Sequence, residues 1–151
     1  MHAMTEPSPT RAALPAERLL ALAAAWLIGL GLVTGGLVSA AMGKQVGAEV
    51  HAALASHLNA LLGGLWMLGV AYTLPMLRYG AIGQRRLAWT LIVANFANWL
   101  VTAIKAFLHV AGVGLTGQPT NDAVFVALTA LVVIPALAGA AAWIYGFGGR
   151  R

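Results

Sequence analysis

Within one apolar stretch of the chain, Asn95, Asn98, Thr102, Lys105 and His109 follow one another at intervals of 3, 4, 3 and 4. At about 100° per residue in a helix, their side chains fall within roughly 80° of arc and project together. Polar groups are costly at membrane depth, so an aligned set of them points to a cofactor, a substrate or a proton path. Helix-to-helix hydrogen bonding by Asn and Thr accounts for one or two of the five without any chemistry. Lys105 stands near the end of the stretch, where a long stem can also carry its ammonium out to the surface.

A neighbouring stretch carries His57, with Ala60, Gly64, Leu68 and Ala71 on the same helical face. Counted from the basic loop between the two stretches, His57 lies ~27 Å along one and Thr102 to Lys105 ~24 to 28 Å along the other, so imidazole and stripe are expected to meet. The small Ala60 and Gly64 would let a flat cofactor lie close to the ring. A histidine on an apolar face also fits a satisfied core residue. The chain has no cysteine, which removes disulfides, iron–sulfur clusters and thiolate sites and leaves histidine as the good nitrogen ligand. No carboxylate triad or second histidine shares the face, a poor match to zinc. Heme b needs one protein ligand and an apolar slot. His51 lies near the membrane surface, about 120° off that face. Glu6, Glu17, Glu49 and Asp122 sit outside the apolar stretches or at their ends, so paired-carboxylate catalysis in the core is not expected. Asp122, behind Thr120 and Asn121, reads as first-turn charge at a helix N-terminus.

The elements that must hold these residues are membrane helices. Of 151 residues, 60% are hydrophobic and 9% charged, with a mean hydropathy of +0.83, far from the soluble norm. Four spans are predicted, at about 18–42, 48–77, 87–109 and 120–147, each longer than the ~20 residues that cross the hydrocarbon core. They form an all-α, integral membrane four-helix bundle, one domain over 17–151, behind a flexible tail at 1–16 that includes His2 and is rich in Pro, Ser and Thr. Pro135 is expected to kink the fourth span. Arg11, Arg18, the Arg78, Arg85 and Arg86 loop, and Arg150 and Arg151 fall on one side, which predicts cytoplasmic N- and C-termini. Basic patches beside apolar runs are topology signals, so the net charge of +5 does not indicate nucleic acid. No cleaved signal peptide is expected. Trp143 and Tyr145 fit an interfacial aromatic belt. Gly31, Gly35, Ser39 and Gly43 repeat every four residues and predict close packing against another helix or subunit.

The string from Ser56-His57-Leu58-Asn59-Ala60 through Gly63-Gly64 to Pro75, followed by Ala97-Asn98-Trp99-Leu100-Val101-Thr102, resembles the small four-helix membrane isomerases that comprise styrene oxide isomerase and hydroxylaminobenzene mutase. The similarity runs over residues 50–145, and the second string is closer to the mutase branch. The resemblance implies that His57 ligates a ferric heme b and that Asn98 lies by the substrate. It also implies a trimer with heme near subunit interfaces, in a bacterial inner (cytoplasmic) membrane. The implied chemistry is a redox-neutral rearrangement of a small apolar aromatic substrate, arylhydroxylamine to aminophenol or aryl epoxide to aldehyde, with the iron as Lewis acid. Asn98 and Thr102 would orient the substrate oxygen, Ala60 and Gly64 would border the heme, and Lys105 would pair with a propionate. Three positions depart from the family pattern. Gly63 replaces an Asn found in both branches, Thr102 replaces a Tyr of the epoxide enzymes, and Asn59 replaces an acid of the mutases.

Two other readings fit the same residues. His57 and His109 could ligate one heme in an electron-transfer cytochrome, or the stripe could be hydrogen-bonding glue in a heme-free packing or transport subunit.

Overall fold

Pro15 opens the first helix, α1 (Pro15–Met42), where its missing N–H costs nothing because first-turn donors have no helical partner. The structure is a computed structural model and describes residues 15–148. Met1 to Leu14, with His2, Glu6 and Arg11 of the expected tail, and Arg150 and Arg151 lie outside the described residues. α1 stops where Lys44 takes a φ of +56°. There the N–H groups of Gly43 and Gln45 donate to the carbonyls of Ser39 and Ala40, each at 2.9 Å, and close the helix end.

The second helix, α2 (Val50–Thr73), is capped by Glu49, whose carboxylate accepts from the N–H of His51 at 2.9 Å and of Ala52 at 2.6 Å. Those two backbone hydrogen bonds hold the carboxyl below its usual value of 4.5. Glu49 N–H in turn donates to the carbonyl of Ala106 at 2.8 Å, tying the start of α2 to the end of α3. Pro75 converts the end of α2 into a 3-10 turn, Leu74–Met76. Buried Gln84 satisfies that turn, donating to the carbonyls of Leu74 at 3.3 Å and Tyr79 at 3.1 Å.

The third helix, α3 (Ala81–Leu108), starts six residues before the expected Leu87. Arg85 and Arg86 therefore project from its first turns rather than from a loop, and the connection shrinks to Leu77–Gly80. Hydropathy marks the part of a helix that lies in hydrocarbon, whereas Gln and Arg are good helix formers that carry it on toward water. At its far end His109 takes a left-handed φ of +53° and ends the helix, where the sequence placed it inside the span. The fourth span is α4 (Pro119–Leu128), a π-turn (Thr129–Val133) and α5 (Ile134–Phe147). The N–H of Ile134 reaches back five residues to the carbonyl of Thr129. Pro135 has no N–H and its ring crowds the carbonyl four residues earlier, so the expected kink takes the form of a widened turn just before it. Four helical segments are long and apolar enough to cross a membrane, and no strand occurs among the described residues.

Small residues draw α1 and α2 together. A Cβ on Gly31 would stand 2.9 Å from Ala60 Cβ, and one on Gly64 would collide with Ile28. The glycine strip of α1 is thus spent inside the chain at Gly31 and Gly35, while Ser39 is exposed and Gly43 belongs to the turn. Of the two expected partners, another helix or another subunit, it is the neighbouring helix α2 that Gly31 meets. Trp99 braces three helices at mid-depth: its indole N–H donates to Thr34 Oγ1 of α1 at 3.0 Å, and its carbonyl accepts from Ser56 Oγ of α2 at 2.9 Å. The fourth span packs chiefly on α3, with Gly139 against Leu91. Its end is fastened by Tyr79 OH to the carbonyl of Ala142 at 2.7 Å and by Trp143 Nε1 to Thr73 Oγ1 at 2.9 Å. Large side chains such as Trp26, Leu32, Leu62 and Leu65 face outward, as lipid-exposed surfaces require.

Candidate functional site: a histidine seam and an amide-lined cavity

His57 and Asn59 are two positions apart on α2, so their side chains leave the helix about 200° apart. They serve different faces. His57 turns toward α1, where its Nδ1 lies 2.7 Å from the carbonyl of Gly31 and its ring rests on Gly35, whose absent Cβ would stand 3.2 Å from Cε1. A carbonyl oxygen only accepts, so Nδ1 carries the proton, and in the singly protonated ring the lone pair is on Nε2. No described residue hydrogen-bonds to Nε2. An imidazole held by Nδ1–H on a backbone carbonyl, with Nε2 free, is the usual arrangement of a metal-ligating histidine. The ring is half-buried in this seam, and Leu58, next to it in the chain, is exposed.

The expectation that imidazole and stripe meet is therefore corrected: within the chain they lie on opposite faces of α2. Ala60 and Gly64 also depart from their expected place beside a cofactor. Both are buried against α1, Ala60 on Gly31 and Gly64 on Ile28, and leave no slot between the helices.

The stripe itself divides. Asn95, Asn98 and Thr102 face α2, Asn95 against Gly63 and the other two against Asn59, whose Nδ2 donates to Asn98 Oδ1 at 3.0 Å and to Thr102 Oγ1 at 3.3 Å. Thr102 Oγ1 also donates to Asn98 Oδ1 at 3.5 Å. With its oxygen occupied twice, Asn98 keeps its NH₂ group for another partner. Asn95 donates from Nδ2 to the carbonyl of Leu91 at 2.8 Å. The three amides border an open cavity of about 300 Å³ lined also by Leu62, Gly63, Trp66 and Ala94, with Val132 of the π-turn and Ala136 of α5 as its far wall. Its lining has no charged, thiol or hydroxyl side chain, so what it offers is hydrogen bonds from amides beside an apolar bed. A larger hollow of about 520 Å³ lies between the starts of α1 and α3 beside Leu19, Gln84 and Arg85, apart from these amides.

Lys105 and His109 leave the stripe for the loops. Lys105 Nζ donates to the carbonyl of Ala111, and His109 Nε2 to that of Gly47, both at 3.0 Å. Gly47 lies beyond the end of α1, whereas His57 sits on Gly31 and Gly35, which precede Met42 by 11 and 7 residues, roughly 10 to 16 Å of helix. One chain cannot offer both histidines to one iron, which removes the single-chain form of the cytochrome reading. Among the described residues no group of three or more His, Asp or Glu side chains could hold a metal ion.

The family model of styrene oxide isomerase matches residues 16–148, which includes all four spans, the seam and the cavity. The chain belongs to the styrene oxide isomerase family. Hydroxylaminobenzene mutase HabB of Ectopseudomonas oleovorans is 36% identical over 110 residues, 72% of this chain. The matched segment spans 62% of the length of that relative. No solved structure matches the chain. Against the styrene oxide isomerase family pattern, Asn59 stood out in the sequence only as a departure, yet it organises the cavity. A polar residue level with the stripe and off the histidine face was the available signal. The π-turn wall at Val132 and Ala136 carried no polar residue, and nothing in the sequence placed it at the cavity.

Proposed function

We propose that this chain is a membrane isomerase that rearranges a small aromatic compound with an N–O or epoxide oxygen, without net redox chemistry. The observation that carries the reading is the amide cavity: Asn59 and Thr102 fix Asn98 so that its NH₂ group faces an apolar pocket with no acid, base or nucleophile. A preset donor of this kind holds a substrate oxygen and stabilises charge that develops on it. Trp66, Leu62 and Ala136 give the aromatic ring an apolar bed and exclude water, the competing nucleophile.

The donor set fits a heme b. His57 supplies one nitrogen ligand already oriented by Gly31, with Nε2 free at an outward-facing seam. Ferric heme supplies, when bound, a Lewis-acidic iron that polarises a substrate oxygen. Because the seam and the cavity lie on opposite faces of α2, the seam of one copy must come to the cavity of another for His57 and Asn98 to serve one substrate. This supports a homo-oligomer; the trimer and the bacterial cytoplasmic membrane are proposed from the family resemblance alone.

The test is direct. Membranes containing the protein are expected to isomerise an arylhydroxylamine or an aryl epoxide with no added NAD(P)H, flavin or oxygen. The purified protein is expected to show a Soret band that His57→Ala abolishes and His51→Ala leaves in place. A requirement for an electron donor, or a normal Soret band in His57→Ala, defeats the proposal.

A further inference from the structure

Asn95 is 6% exposed and its amide has one possible orientation. The carbonyl of Leu91 can only accept, so the atom 2.8 Å from it is Nδ2, and Oδ1 points away. Oδ1 is aimed across α2 at Gly63, where a Cβ would come within 2.5 Å of it. No described residue donates to this oxygen. Among the described residues no fully buried polar side-chain atom lacks a partner, so Oδ1 opens onto the cavity. One turn along α3, at a Cβ spacing of about 5–6 Å, Asn98 offers the opposite polarity, its oxygen occupied and its NH₂ group free.

A donor and an acceptor one turn apart in an apolar pocket suit a ligand whose polar group both accepts and donates. An epoxide oxygen carries lone pairs and no hydrogen. The N–O unit of an arylhydroxylamine carries lone pairs and a hydrogen on each atom. We infer that Asn95 is a specificity-determining residue, which accepts a hydrogen from the substrate's N–O unit while Asn98 donates to its oxygen, and that Gly63 is the residue that makes room for it. The inference rests on the cavity being the substrate site. A substrate without such a hydrogen leaves Oδ1 buried against it and unpaired, the situation that lets a polar site reject close analogues.

The experiment measures binding to the full-length protein in detergent, using two ligands that cannot rearrange: benzyl alcohol, which donates and accepts, and benzyl methyl ether, which only accepts. The ratio of their dissociation constants is compared between wild type and variants, so that the size difference between ligands cancels. Asn95→Leu is expected to lower the preference for the alcohol by about three- to tenfold, the usual worth of one neutral hydrogen bond. Gly63→Ala, which pushes Oδ1 aside, is expected to do the same while both variants keep their thermal unfolding transition. A ratio unmoved by Asn95→Leu, in a protein whose affinity for both ligands still falls with Asn98→Ala, overturns the inference and leaves the proposed function standing. Affinities that ignore Asn98→Ala as well remove the cavity as the substrate site, and the inference with it.

Discussion

Asn98 shows how a neutral amide can be given a direction. Free to flip, it would present oxygen or nitrogen to the cavity at nearly equal cost, but Asn59 Nδ2 and Thr102 Oγ1 both claim its oxygen. In this network the NH₂ group is the part of Asn98 left for a substrate, and an amide held by neighbours before the substrate arrives suits transition-state stabilisation by a preset dipole. On the proposed function, Asn98→Ala is expected to lower kcat by roughly a hundredfold or more while leaving the Soret band expected of a His57-bound heme unchanged, measured as turnover beside that band on one preparation. Asn59→Leu is expected to lower kcat less, since it frees the Asn98 amide to turn without removing it.

Helix ends, more than helix middles, are where sequence and structure part. The apolar centres of all four spans could be read directly, because hydropathy reports burial in lipid. The start of α3 could not, because Gln84 and Arg85 are polar yet helical, and Gln84 is buried for a tertiary reason: it satisfies the turn at Leu74. Similarly, the polar stripe was visible in its spacing, but its division was not. Lys105 and His109 turn to the carbonyls of Ala111 and Gly47 only because the loops fold back to them. The same limit applies to Ala60 and Gly64, since small residues invite a helix as readily as a cofactor. Glu49 provides a test of one such end. Its carboxyl sits below 4.5 through the N–H groups of His51 and Ala52, so the charged form is favoured in the folded state. The stabilisation is complete above the unfolded value and is lost as pH falls through the folded one. The gap in thermal stability between wild type and Glu49→Gln is expected to be full at neutral pH and to close progressively below about pH 4.5; a gap that persists in acid contradicts the capping role.

Charge orders the bundle across the membrane. Arg18, Arg78, Arg85 and Arg86 gather at the end where α1 begins, and Arg78 is held there with its guanidinium 3.4 Å over the ring of Tyr145. Lys44 and Lys105 are at the other end, near Glu49 and Asp122. We propose on this basis that both termini face the cytoplasm. The chain has no native cysteine, so single cysteines at Arg85 and Gly117 report without background. They are expected to label from opposite sides of the membrane, and labelling from one side contradicts the topology. On the proposed function, mass measurement in mild detergent is expected to give a trimer, and a fully active monomer would contradict the proposed assembly.

The π-turn at Thr129–Val133 has a consequence for how this bundle can change over time. A π-turn holds one residue more than the α-helical turn it replaces. The fourth span therefore behaves as a regular helix that has absorbed an insertion, and the slack is stored beside the cavity at Val132. Losing one residue there would draw the segment toward an α-helical turn still bent at Pro135, while α2 and α3, which hold the histidine and all three amides, stay as they are. A change of length inside this span has in this turn a place where it can reshape the cavity wall without disturbing His57 or the three amides.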